Sequence, residues 1–87
     1  MYIVYSLYSK SHNKIYIGFT SDMDQRLIAH NHDSNNGWTG KCKPWVLIYS
    51  ENFDLKSDAM AREKQLKSYQ GRMFIWEQVK SFLEKQE

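Results

Sequence analysis

Tyr2-Ile3-Val4-Tyr5-Ser6-Leu7-Tyr8 opens the chain, and Lys14-Ile15-Tyr16-Ile17-Gly18-Phe19 follows after a short polar break. Both stretches are rich in β-branched and aromatic residues, which suit a pleated strand. In the first, Tyr2, Val4 and Ser6 alternate with Ile3, Tyr5 and Leu7, the two-residue period of a strand. Ser9 to Asn13 is polar, and Asn13 tolerates a turn conformation. Two strands joined so closely pair as an antiparallel hairpin. Alternation puts Tyr5 with Ile3 and Leu7, and sets Tyr16 opposite Ile15 and Ile17. In a hairpin the two phenols can meet near one edge of the sheet.

Beyond the hairpin, Asp22 with Gln25 three residues later has the form of a capping box. It predicts a helix over 23–32 with Met23 and Leu27 inward. Asp33 to Pro44 reads as loop, and Trp45 to Phe53 as a third strand. A second helix is expected from Ser57 or Asp58, with Gly71 as its C′ residue. Residues 72–85 predict a third, amphipathic helix with Ile75, Trp76, Val79, Phe82 and Leu83 on its apolar stripe. The order ββαβαα implies an α/β (α+β) domain: a small three-stranded antiparallel sheet flanked by three helices.

At 87 residues the chain is expected to be one domain, 1–87. A domain of this size buries roughly 60% of its unfolded surface. It can hold a small core and a shallow site, not a deep ligand cavity. Hydrophobic residues at 41% and aromatics at 15% argue against disorder. Cys42 is the only cysteine, so an internal disulfide is excluded and a reducing, cytoplasmic setting is expected. No apolar run reaches membrane-spanning length, and the strand-like N-terminus does not read as a signal peptide.

The net charge of +2 says little about partners, but its distribution says more. Arg62, Lys64, Lys67 and Arg72 form one basic stretch opposed by Glu63, and Lys41 and Lys43 lie in a glycine-containing loop. Such clusters can attract phosphate, although on charge alone a solvated helix face is the commoner explanation. Arg26 and His30, four apart, share a helix face. An arginine fork suits phosphate oxygens, and a neutral imidazole can orient or accept a proton. Tyr5 and Tyr16 can exchange a proton or simply pack.

Glu63 has Ala59, Met60 and Leu66 as helical neighbours, which puts its carboxylate at or beside an apolar stripe. A carboxylate there needs a partner or a cation. Mg²⁺ is a suitable one, since it takes one or two carboxylates, waters and substrate phosphate. The ordinary alternative is a surface pair with Lys67. Trp38-Thr39-Gly40-Lys41 can stack on nucleic acid or cap a loop.

Taken in order, these residues resemble the GIY-YIG nuclease family, in the small stand-alone bacterial form similar to the N-terminal nuclease domain of the bacterial repair excinuclease. Ile3-Val4-Tyr5 stands at the first motif, with Ile3 in place of its glycine, and Tyr16-Ile17-Gly18 at the second. Gly18-Phe19-Thr20 continues the family's G-x-T, and Arg26-Leu27 with His30 fits R-L-x-x-H. Trp38-Thr39 and Lys43-Pro44-Trp45 fit the loop and third strand of small members. Ala59, Arg62-Glu63 and Leu66-Lys67 fit the glutamate helix. The resemblance implies a DNA endonuclease with Tyr5, Tyr16, Arg26, His30 and Glu63 as catalytic residues. It implies Mg²⁺ or Mn²⁺ on Glu63, and DNA contacts from Gly18, Thr20, Lys41, Lys43, Arg62 and Lys67. It leaves open which tyrosine is the base.

The leading expectation is thus metal-dependent hydrolysis of DNA in repair, or of branched or single-stranded DNA. A separate DNA-binding or repair protein would supply any sequence preference. A binding module of the same fold that does not cut is the alternative, and an aromatic protein-interaction domain is a third.

Overall fold

The computed structural model describes residues 1–32, 35 and 37–86. Strand β1 (Tyr2–Ser9) and strand β2 (Lys14–Thr20) form the expected hairpin. Asn13 adopts φ 52° at the turn, and its Oδ1 accepts a 3.0 Å hydrogen bond from Tyr8 Oη. Helix α1 (Met23–Asn31) follows, with Asp22 accepting from the Gln25 N–H as its N-cap. A single turn, α2 (Trp38–Lys41), lies inside the segment expected as loop; residues 33, 34 and 36 of that segment lie outside the described residues. Strand β3 (Val46–Phe53), helix α3 (Lys56–Leu66) and helix α4 (Tyr69–Lys85) complete the chain. The strand order is β2-β1-β3, antiparallel throughout. The fold is the α+β arrangement that the pattern predicts, with the one-turn α2 added.

Gly71 is not a helix terminator. It sits in the first turn of α4, where its N–H donates to the N-cap Ser68 Oγ at 3.2 Å. A Cβ there would collide with the backbone of Gln65 and Leu66. The glycine serves close approach of two helices joined by a minimal connection, not a left-handed cap.

Two apolar clusters lie on opposite faces of β1. Val4, Tyr8, Ile15 and Ile17 pack with Ala59, Leu66, Ile75 and Val79 of α3 and α4. Tyr5 and Leu7 pack with Cys42 and Trp45, supported by Met23 and Leu27 of α1. Trp45 lies just before β3. Its N–H donates to Asn31 Oδ1 at 2.6 Å and its carbonyl accepts from Asn31 Nδ2 at 3.0 Å, tying the end of α1 to the third strand. No described helix is long and apolar enough to cross a membrane.

Candidate active site

Tyr5 pairs with Gly18 across the β1–β2 ladder, and Leu7 pairs with Tyr16. Directly opposed residues share a face, so both tyrosines stand on the α1 side. Their ring centroids are 6.2 Å apart with 27° between planes. Gly18 makes the room: a Cβ there would lie 2.8 Å from Tyr5 Oη and 3.1 Å from Tyr16 Cε1.

His30, in the last turn of α1, closes this pair from the helix side. Its Nε2 is 3.3 Å from Tyr5 Oη, and its ring centroid is 4.6 Å from that of Tyr16. Tyr5 is fully buried and His30 nearly so. Burial pushes the Tyr5 phenol far above its ordinary value; Tyr16 and Glu63 add to the rise and Arg26 opposes it. Burial, assisted by the Arg26 charge, holds His30 below the ordinary histidine value. The phenol therefore keeps its proton and the imidazole stays neutral, and the two share one hydrogen bond.

A cleft of about 370 Å³ opens beside the tyrosines. Tyr2 and Tyr5 come to it from β1, Tyr16, Gly18, Phe19 and Thr20 from β2, and Lys56 and Glu63 from α3, with Ser21 and Arg26 completing the wall. The structure thus brings Tyr5, Tyr16, Gly18, Thr20, Arg26 and Glu63 together. His30 lies in an adjoining hollow that also includes Arg26, Asn35 and Thr39.

Glu63 is half-buried, with Lys67 Nζ 3.7 Å from its Oε1. Ala59 and Leu66 are buried as expected, but Met60 is half-exposed. The apolar stripe therefore runs along Ala59 and Leu66, and Glu63 sits on its border facing the cleft. Among the described residues no three His, Cys, Asp or Glu side chains gather as a metal cage. One carboxylate on an open cleft does not suit a closed zinc site. It suits Mg²⁺ or Mn²⁺, hard ions that keep waters and accept phosphate oxygens.

The remaining expected phosphate contacts are dispersed. Lys67 reaches the rim through Glu63, Lys41 is exposed on α2, and Lys43 Nζ donates to the His32 carbonyl at 3.1 Å. Arg62 is directed elsewhere. Its Nε lies 3.0 Å from both Glu51 carboxylate oxygens, its Nη2 2.9 Å from Oε2, and its Nη1 donates to Gln65 Oε1 at 2.7 Å. Tyr49 donates to the same carboxylate. Arg62 therefore tethers α3 to β3 and lines a separate depression with Phe53 and Asp58. The basic run is not one free patch, since the exposed Arg72 also donates from Nε to the Lys67 carbonyl at 3.1 Å.

Sequence reading did not single out Lys56, Tyr2, Phe19 or Ser21. Lys56 lies just outside the helix expected from Ser57 or Asp58; α3 begins one residue earlier and so sets Lys56 two helical turns before Glu63 on the same face.

A two-sided sheet with paired tyrosines, an arginine and a carboxylate on one cleft defines the class to which this domain belongs. Residues 1–75 match the GIY-YIG catalytic domain, and the chain is a member of that family, which supports a nuclease-type function. A UPF0213 protein of Staphylococcus haemolyticus is 37% identical over 57 residues, covering 66% of this chain and 70% of that protein. A UPF0213 protein of Haloquadratum walsbyi is 36% identical over 59 residues, covering 68% and 66%. The solution NMR structure of a UPF0213 protein from Bacillus halodurans superposes with a TM-score of 0.52 at 28% identity, over 88% of this chain and 84% of that one. The chain is a small GIY-YIG protein of this type.

Proposed function

We propose that this protein is a divalent-metal-dependent endonuclease that hydrolyses DNA phosphodiester bonds in repair, or in processing of branched or single-stranded DNA. The observation that carries the proposal is the single cleft shared by Tyr5, Tyr16, Arg26 and Glu63. Glu63 would hold Mg²⁺ or Mn²⁺; once bound, such an ion supplies Lewis acidity to the phosphate and to the leaving oxygen. Arg26 presents its guanidinium to the non-bridging oxygens, where charge builds in the transition state. Tyr16 is partly exposed and meets the attacking water. Tyr5 has no exposed surface and keeps its own proton. Transfer of the water proton is therefore assigned to Tyr16, whose own phenolic proton passes to solvent as it takes that of the water, while Tyr5 and neutral His30 hold its surroundings rigid. Gly18 and Thr20 flank the phosphate, and Lys56, Lys67, Lys41 and Lys43 supply positive charge along its path. DNA is the substrate, in the cytoplasm, and a separate DNA-binding or repair protein would give any sequence preference.

A binding module that does not cut is the second reading, favoured by Ile3 at the motif's glycine. Against it, β1 pairs without a break through Ile3, to Thr20 on one side and Asn52 on the other, so Tyr5 keeps its register. Labelled single-stranded, duplex and branched DNA incubated with Mg²⁺ or Mn²⁺, and with EDTA as control, separates the two. Cutting with metal alone supports the enzyme. Salt-sensitive binding without cutting supports the module.

A further inference from the structure

Trp38 is 54% exposed, although it stands beside the tyrosine pair. Its ring centroid lies 5.8 Å from that of Tyr16. It also meets Trp45 edge to face at 5.9 Å and 84°. Trp45 is buried and fixed, with its Nε1 donating to the Thr39 carbonyl at 2.7 Å and its backbone held by Asn31. The Trp38 indole therefore rests against a rigid aromatic wall and keeps about half of its surface, 54%, open to solvent. Tyr5, Tyr16 and Trp38 form a row from the interior to the surface, with successive centroid separations of 6.2 and 5.8 Å.

Closing the local turn does not require this indole. Asn35 Nδ2 donates to the His30 carbonyl and to Thr39 Oγ1, both at 2.9 Å, and Gly40 packs directly on the Asn35 backbone. The turn is held by Asn35 and Trp45. An open indole carried by a rigid support loses little conformational freedom when a flat ligand covers it.

We propose that Trp38 is a stacking platform for one unpaired base of the substrate, next to the phosphate held in the cleft. The site then takes single-stranded or frayed DNA in preference to a closed duplex. This rests on the nuclease reading of the cleft and adds its substrate class. Every base has a π-face, so stacking is tolerant of sequence. Inside a duplex that face is covered by neighbouring bases, so contact with Trp38 needs a base out of the stack. Lys41, exposed and three residues on in the same turn, is available to a flanking phosphate.

The test is fluorescence anisotropy, in EDTA, of a labelled oligothymidylate of about 12 nucleotides, within the site size of small single-strand binders. A duplex of the same length is measured in parallel. Trp38→Ala should weaken single-strand binding about tenfold, the size of one base–aromatic stack, and leave duplex binding unchanged. Trp38→Phe and Trp38→Leu guard against a folding defect, because they keep apolar bulk with and without an aromatic face. Phe binding the single strand more tightly than Leu supports the platform. Equal binding by Phe and Leu, or loss of single-strand and duplex binding in the same proportion, overturns it. Binding in EDTA needs no catalysis. A protein that never cuts but shows the Trp38-dependent preference therefore removes only the nuclease reading. Metal-dependent cutting without that preference removes only the platform.

Discussion

Tyr5 Oη and His30 Nε2 stand 3.3 Å apart inside the domain, with the phenol protonated and the imidazole neutral. This bond joins the central strand to the first helix, directly behind the cleft. Tyr5→Phe should keep the ring contacts and leave Nε2 without its partner. The expected cost is about 1–3 kcal/mol, as for a buried polar group left unpaired. Urea unfolding of the two proteins measures it, and an unchanged midpoint would show that the bond contributes nothing.

The same pair sets a pH dependence. His30 is held below its ordinary value of 6.5, so the unfolded chain binds the proton more readily. The stability tied to neutral His30 is complete above that value and is lost as pH falls through the folded one. Glu51 behaves alike at lower pH. Burial raises its carboxyl, but hydrogen bonds from Arg62 and Tyr49 outweigh this and hold it below 4.5. Its contribution is present above 4.5 and is lost on further acidification. Unfolding followed from pH 7.5 downward should show a shallower decline in His30→Asn near the histidine range. Glu51→Gln should show a shallower decline in the carboxylate range. Parallel curves for either variant would remove that group from the explanation.

Gly18→Ala places a methyl against the Tyr5 phenol and the Tyr16 ring. No φ penalty applies, since no described glycine has positive φ. The effect is displacement of the tyrosine pair. Overpacking of this kind costs about 1–3 kcal/mol, and cleavage should fall further than this loss of stability explains. Cleavage at the wild-type rate in Gly18→Ala would mean that the tyrosine positions are not critical.

Arg62 and Arg26 should separate stability from DNA binding. Arg62→Ala breaks the tether to Glu51 and should cost about 1–2 kcal/mol, since hydrogen bonds to charged groups are worth 1.5–3 and this site is partly exposed. Its salt-dependent DNA affinity should stay near wild type. Arg26→Ala should do the reverse and reduce the slope of affinity against salt. An Arg62→Ala protein that is stable but weak in DNA binding would return Arg62 to the interface.

Much of this architecture is legible in the sequence because its causes are local. The alternation in 2–8 and 14–19 fixes which face Tyr5 and Tyr16 take, and Asp22 with Gln25 marks the start of α1. What escapes depends on partners distant in the chain. Arg62 reads as one of a basic run, and only the β1–β3 register, which sets Glu51 opposite Val4, gives it a carboxylate to bind. Gly71 looks like a helix end because glycine commonly is one. Here the nearness of the Gln65 and Leu66 backbone requires it. Met60 fits an apolar stripe by spacing, yet α3 turns Ala59 and Leu66 into the core and leaves Met60 half-exposed.

The central claim is that Glu63 holds the metal in a cleft that cuts DNA. The most direct measurement is cleavage of labelled single-stranded DNA in Mg²⁺ or Mn²⁺ by the wild-type protein and by Glu63→Ala, with folding of both verified by circular dichroism. Metal-dependent cutting by the wild type, absent in folded Glu63→Ala at every metal concentration, is the predicted result. Cutting by Glu63→Ala at the wild-type rate would contradict it.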